Sequence, residues 1–334
     1  MMRLARLLVA PLLLALVAAD VPPTMRAVQI AETGGVDVLK LETIDTPTPG
    51  EGELLVRVRA AGVNPVDASI RGGGFGGAAR LPYTPGFDVA GTVTAVGEGV
   101  EGFAVDDAVF AMLDLRRGGG YAEYAIVKAT EAAKKPESLT FEQAAGVPLV
   151  ALTAHQALFD TANLKEGETV LIHGGSGGVG SHAVQLAKAA GATVIATASE
   201  RNQEYLKELG ADVTVDYRSQ QFEDFADNVD VVLDTVGGET QRRSFAVLKE
   251  GGRLVSIVGL PHRNLAGPAG VAAGGILVRP NGEQLAKIAG MFDDGTMQPA
   301  ALETMPLSDV REAHEQIETG HTRGKVVLVV SESE

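Results

Sequence analysis

Between residues 147 and 280, short apolar runs alternate with stretches whose apolar residues recur at helical spacing. Thr169–His173 (TVLIH), Thr193–Ala198 (TVIATA), Val213–Val215, Val229–Asp234 (VDVVLD) and Arg253–Val258 (RLVSIV) predict buried strands. Helices are predicted over 181–190, near 202–209 and near 239–249. Continuous apolar strands separated by helices imply an α/β unit, a doubly wound parallel sheet covered on both faces. Upstream the pattern differs. Leu54–Ala60 alternates between two faces, and Asp88–Val96, Val109–Ala111 and Tyr121–Val127 read as further short strands. Gly and Pro punctuate them at 47–50, 72–77 and 118–120, which suggests a compact β-rich barrel. Past Pro280 come two helical stretches and then Lys325–Val330 (KVVLVV), a strand expected to return to the first domain. The reading is therefore one domain from 25–146 with 281–331, and another from 147–280.

Residues 1–24 read as an extension outside the fold. Arg3 and Arg6 precede the apolar run Leu7–Ala19, and Val17-Ala18-Ala19 resembles a small-residue cleavage site. Either this is an export signal, or translation starts at Met25. The run is short for a membrane span, so no stable membrane association is expected. A need for reduced cofactor favours a cytoplasmic protein, with export as the alternative.

Composition narrows the chemistry. The 334 residues carry a net charge of −15, which argues against nucleic acid and anionic membranes as partners. There is no cysteine, so disulfides, thiolate catalysis and Cys-ligated zinc are excluded. The six histidines are scattered, with no close-spaced pair.

The strongest local signal is Gly174-Gly175-Ser176-Gly177-Gly178-Val179-Gly180, between a predicted strand and a predicted helix. Glycines there let the backbone approach a pyrophosphate, whose charge rests on the amides at the helix start. The next strand ends at Ser199, where an NAD site usually has an acidic ribose ligand. Ser199 with Arg201 suits a 2′-phosphate instead, since arginine offers a fork of donors, and NADP(H) is the cofactor expected. The same two residues also read as a helix cap and a solvated charge.

The chain resembles the medium-chain dehydrogenase/reductase superfamily, in its zinc-free quinone oxidoreductase (zeta-crystallin-like) branch. The residues carrying the likeness are 60–67 (AAGVNPVD), 85–91 (PGFDVAG), Leu152-Thr153-Ala154, the glycine loop, 234–238 (DTVGG) and 324–328 (GKVVL). The resemblance implies a GroES-like substrate domain split around a Rossmann domain, an active site between them, and a homodimer or homotetramer. It places Asn64 and Thr153 near the nicotinamide, Tyr217 beside the adenosine phosphate, and Val258, Gly259 and Lys325 on the cofactor. Gly86-Phe87-Asp88 stands where zinc-dependent relatives have a metal-ligating motif, and Ser69 replaces a tyrosine that many quinone-reducing relatives carry. Asp106 stands at a usual turn glycine.

Hydride transfer to a carbonyl or activated alkene builds negative charge on oxygen. Without zinc, Asn64 is the first candidate to stabilise it, and Tyr83 or Tyr121 could donate a proton. Asp67 and Asp88 read as structural. His173, at the end of the cofactor strand, is either a phosphate contact or a packed residue. The expected activity is reduction of a small-molecule electrophile, a quinone or an α,β-unsaturated carbonyl. Two alternatives remain open. One is enoyl-thioester reduction, with Arg71, Arg80, Arg116 and Arg117 either contacting a CoA-type phosphate or simply solvated. The other is an NADPH-binding crystallin- or sensor-like protein with little turnover.

Overall fold

The computed structural model describes residues 16–17, 21–74 and 80–330. Most of the signal-like segment lies outside these, as does part of the glycine-rich stretch at 72–77. Leu16–Val17 (β1) lies antiparallel to a barrel strand.

Two sheets organise the chain. The first collects Glu53–Val63 (β4), Asp88–Val96 (β5), Ala108–Met112 (β6), Tyr124–Lys128 (β7) and Ala132–Lys134 (β8). A hairpin of Thr24–Gln29 (β2) and Lys40–Asp45 (β3) sits beside it, joined through Ala27–Ala122 and Ile30–Tyr83 bridges. Val56, Val58 and Ala60 of β4 are buried while Arg57 and Arg59 between them are only half-buried, the alternation the sequence predicts, and beyond them Ala61–Val63 are buried on both faces. Asp106 adopts the left-handed conformation at φ 73°, which aspartate tolerates better than most residues. Between β4 and β5 runs the helix Pro65–Arg71 (α1), started by proline at its first position.

After the short helices Phe141–Ala145 (α2) and Pro148–His155 (α3), the chain enters the second sheet. Thr169–Ile172 (β9) leads into Gly178–Ala189 (α4), then Thr193–Ala198 (β10), Gln203–Glu208 (α5) and Val213–Asp216 (β11). Val229–Asp234 (β12), Gly238–Ser244 (α6), Leu248–Ser256 (β13) and Ala272–Gly275 (β14) complete it. The order is β11-β10-β9-β12-β13-β14, all parallel. The winding direction reverses between β9 and β12, and ligands bind at such reversals in doubly wound sheets.

The helix predicted near 239–249 ends at Ser244, and the following strand starts at Leu248 rather than Arg253. Leu248 is buried in the second core cluster with Val229 and Leu254, so its packing as a strand residue prevails over helical spacing. The strand predicted at 121–127 runs instead over 124–128.

Past Gly282–Asp293 (α7), the chain forms Leu302–Pro306 (β15), Val310–Glu318 (α8) and Lys325–Val329 (β16). As expected, β16 returns to the barrel and pairs antiparallel with β4, with Val326 opposite Val63. One apolar cluster runs without interruption through both sheets, from Val58 and Phe110 to Leu152, Val170 and Val184. The cleft between the sheets is therefore seated on a shared core.

Candidate active site

At the reversal between β9 and β12 lies a cavity of about 610 Å³, bounded by the glycine loop, the ends of β10 and β11, the 320–324 loop and the start of α1. Thr235 at the end of β12 donates its hydroxyl to the His173 carbonyl at 2.7 Å, tying the two switch-point strands together. Asp234 accepts from the Val236 and Gly237 amides and from Gln241 and Ser256, which shapes the turn after β12.

The glycine loop is built around a close approach. A Cβ on Gly180 would lie 2.2 Å from the Gly174 carbonyl oxygen, so only glycine lets α4 begin that near the turn. The N-cap of α4 is Gly177, which makes no side-chain capping bond. The first-turn amides thus remain available to an anion, and the helix dipole adds to their pull. The loop and cavity fit a dinucleotide pyrophosphate. Gly324 donates its amide to the Ser176 carbonyl at 2.9 Å, which stitches the loop to the strand returning from the Rossmann side.

Ser176, Ser199, Arg201 and Tyr217 all border the cavity, together with Gly174, Gly177, Gly178, Val179 and Gly180. Gly175 lies just behind it, where a Cβ would meet Leu206 at 2.9 Å. Arg201 reaches the His321 carbonyl at 3.2 Å. Three further polar residues escaped the sequence reading. Arg218 lies 5.7 Å from the Tyr217 ring centre and donates to its hydroxyl at 3.4 Å. Asn202 donates to Ser176 at 3.1 Å, and Arg243 borders the cavity while pairing with Glu223. Arg218, directly after Tyr217, was the one legible from sequence position. Neither the Arg201 nor the Arg218 guanidinium forms a salt bridge among the described residues, although the Asp216 carboxylate accepts from the Arg218 backbone amide at 3.1 Å.

His173 is buried and neutral. Its ring nitrogens meet Ser244 at 2.9 Å and Thr197 at 3.3 Å, and burial holds its pKa down at about 4. Val258 and Gly259 lie outside the cavity lining. The Val258 amide donates to Ser256 and the Gly259 carbonyl accepts from Gln241. Thr153 spends its hydroxyl on the Leu149 carbonyl one turn back in α3, at 2.6 Å. Tyr83 is buried beside Gly118 and also lies outside the lining; burial, then Asp67, pushes its phenol up.

Asn64 borders the opposite end of the cavity and heads a buried polar cluster. Its amide nitrogen donates to Asp88 at 2.9 Å, and its amide oxygen accepts from the Lys325 ammonium. The Asn64 backbone amide donates to Asp67 at 2.7 Å, and the Leu149 amide to Asp88 at the same distance. Burial raises both carboxyls, Asp67 to about 7, while Lys325 opposes it in each. Burial lowers the Lys325 ammonium, with Asp88 and Asp67 holding it up. Tyr121 packs beside Asp67 and stacks edge-on against His314. Arg71 is buried rather than solvated, bonded to Gly34, His314 and Glu318.

A doubly wound nucleotide-binding sheet and a barrel sharing one cleft define a two-domain oxidoreductase with an NAD(P)-binding fold. Comparison with known proteins agrees. Residues 50–137 match the alcohol dehydrogenase GroES-like domain family and 209–328 the zinc-binding dehydrogenase family. Over 322 residues the chain is 38% identical to the NADPH-dependent alkenal/one oxidoreductase, chloroplastic, of Arabidopsis thaliana, spanning 93% of this chain and 81% of that one. It is 34% identical over 324 residues to the quinone oxidoreductase of Homo sapiens, covering 92% and 98%. The solved structure of the quinone oxidoreductase from Coxiella burnetii superposes with a TM-score of 0.85 at 36% identity, over 92% of this chain and 100% of that one. The chain belongs to the medium-chain dehydrogenase/reductase superfamily, in its zinc-free quinone oxidoreductase branch. One matching family is named for zinc. This chain has no cysteine, and no three potential ligands converge on a metal site among the described residues.

Proposed function

We propose that the chain is an NADPH-dependent reductase of quinones or α,β-unsaturated carbonyls. One observation carries the cofactor half of this reading. In a chain of net charge −15, the cavity is bordered by the Arg201 and Arg218 guanidiniums, neither in a salt bridge, and by no carboxylate among the described residues. Glu200, between Ser199 and Arg201 in the sequence, is exposed and outside the lining. The glycine loop and the α4 amides would hold the pyrophosphate, and Ser199, Arg201 and Arg218 a 2′-phosphate. The substrate half rests on the alkenal/one and quinone oxidoreductase relatives and on the polar Asn64 end of the cavity.

When bound, the reduced nicotinamide supplies a hydride. As the β-carbon of an enone accepts it, the double-bond electrons move towards the carbonyl oxygen, and the α-carbon then takes a proton from solvent. The chain's task is to hold the developing oxyanion, for which the Asn64 amide is the best-placed donor. Enoyl thioesters find less support. Arg71 is buried, and Arg117 pairs with Glu131, which removes two of the four cations available for a CoA phosphate.

The test is to follow oxidation of NADPH and NADH by a simple benzoquinone and a simple enone, beside fluorescence titration of each dinucleotide. NADPH binding tighter than NADH, with turnover of either acceptor, is expected. Equal or tighter binding of NADH would refute the cofactor assignment, and tight binding with no turnover would favour a non-catalytic role.

A further inference from the structure

Lys325 opens β16 and is almost fully buried, at 4% exposure. Its stem passes the start of the cofactor helix, where a Cβ added to Gly178 would lie 3.0 Å from the Lys325 Cδ. The ammonium then turns away from the glycine loop. It donates to the Val63 carbonyl at 2.9 Å, to the Asn64 amide oxygen, and to Asp88 at 3.4 Å. An ammonium has three N–H groups, and three acceptors of the protein meet it. None is left over for a cofactor phosphate or carboxamide, which is the role the sequence suggested for this residue.

Asn64 is held from both ends by this arrangement. Its oxygen faces a cation and one of its two N–H bonds faces the Asp88 carboxylate. A flipped amide would set its NH2 against the ammonium and its oxygen against the carboxylate, so only one orientation survives. Asp88 is itself fixed by the Leu149 amide. One N–H of Asn64 remains without a partner among the described residues, and Asn64, although fully buried, is among the residues that border the cavity. Positive charge on an amide oxygen draws electrons from nitrogen, and hydrogen bonds in series strengthen one another. A buried ion pair is a poor means of gaining stability, since apolar residues of similar volume often do as well.

We propose that Lys325 is a positioning residue that orients and polarises the Asn64 side-chain amide, so that its remaining N–H can stabilise the substrate's carbonyl oxygen. This rests on the reductase reading above.

The test compares Lys325→Met, Lys325→Arg and the double variant Lys325→Met/Asp88→Asn, which removes both buried charges. Three quantities are read: the NADPH dissociation constant by fluorescence, kcat and KM for an enone, and the Asn64 side-chain amide resonances of the cofactor-free protein. For Lys325→Met we expect kcat to fall about 100-fold, as on removal of an oxyanion donor, with NADPH affinity nearly unchanged. The Asn64 amide protons should shift upfield, and Lys325→Arg should restore part of kcat. The double variant should regain thermal stability yet keep the low kcat. Weakened NADPH binding with kcat retained would make Lys325 a cofactor ligand. Recovery of kcat together with stability in the double variant would make the pair merely structural, and either result overturns the proposal. A wild-type chain that binds neither dinucleotide would overturn the reductase reading itself, and this inference with it.

Discussion

The two ends of the cavity are made of different materials. The glycine-loop end is backbone: seven consecutive residues, a turn too tight for a Cβ at Gly180, and helix amides with no side-chain cap. The Asn64 end is side chain: two carboxyls, an amide and an ammonium, all buried and drawn from separate segments. A site made of backbone depends on what is missing from the side chains, so it tolerates almost no addition. A site made of buried charge depends on mutual compensation, so it responds to pH and to the loss of any one partner.

The sharpest way to break the first end is Gly180→Val. Its branched side chain would meet the Gly174 carbonyl, and NADPH affinity should fall by about 100-fold or more, read by fluorescence titration beside a circular dichroism spectrum. Next is Arg201→Ala/Arg218→Ala. If these two guanidiniums hold a 2′-phosphate as proposed, their loss should weaken NADPH by roughly 10- to 100-fold while leaving NADH nearly unaffected, which a parallel titration would resolve.

Protonation probes buried groups at both ends. Burial holds His173 and His182 near 4 and His314 near 3, below the ordinary 6.5. The unfolded chain binds those protons first, so their contribution is complete above pH 6.5 and declines on acidification. The decline is about 1.4 kcal/mol per pH unit for each fully engaged group. Asp67 opposes this. Raised from 3.8 to about 7, it keeps its proton when folded, so its contribution is complete below pH 3.8 and is lost as pH climbs towards 7. Urea unfolding between pH 4 and 6.5 should therefore show stability falling with acid, and Asp67→Asn should steepen that fall. An unchanged slope would mean that Asp67 is ordinarily ionised. The smallest effect is expected from Tyr83→Phe. Its hydroxyl lies outside the cavity lining and has no hydrogen-bond partner among the described residues, so kcat should change less than about threefold. A proton donor would instead cost 10²–10⁴-fold.

This contrast also explains what was readable in advance. The glycine loop, the parallel sheet and the return of β16 were legible because each is a local pattern of apolar and small residues. Arg201 and Ser199 were reachable by counting from the loop along one strand. The Lys325–Asn64–Asp88 cluster was not, because Val63 and Lys325 lie 262 residues apart in sequence and only the barrel register brings them together. Asn64 and Asp88 were noticed singly, Asn64 as a catalytic amide and Asp88 as a structural carboxylate. Neither residue announced the ammonium between them. Arg71 misled for a related reason. Nothing in its neighbours in sequence reveals that Glu318 and His314 of α8 will cover it.

The pairing of β16 with β4 has a consequence for how the molecule is made. The barrel's central strand is made early, yet the Ala60–Val63 half of one of its edges, beyond the part that β7 pairs, waits for β16. Every strand of the parallel sheet emerges in the interval, so that sheet can close first, and the cavity is completed only when the 320–324 loop and β16 arrive. Until Lys325 arrives, the nascent protein holds two acidic side chains at a half-built seam with no cation to face them. The arrival of β16 therefore completes the barrel sheet and the Lys325–Asn64–Asp88 cluster in a single event.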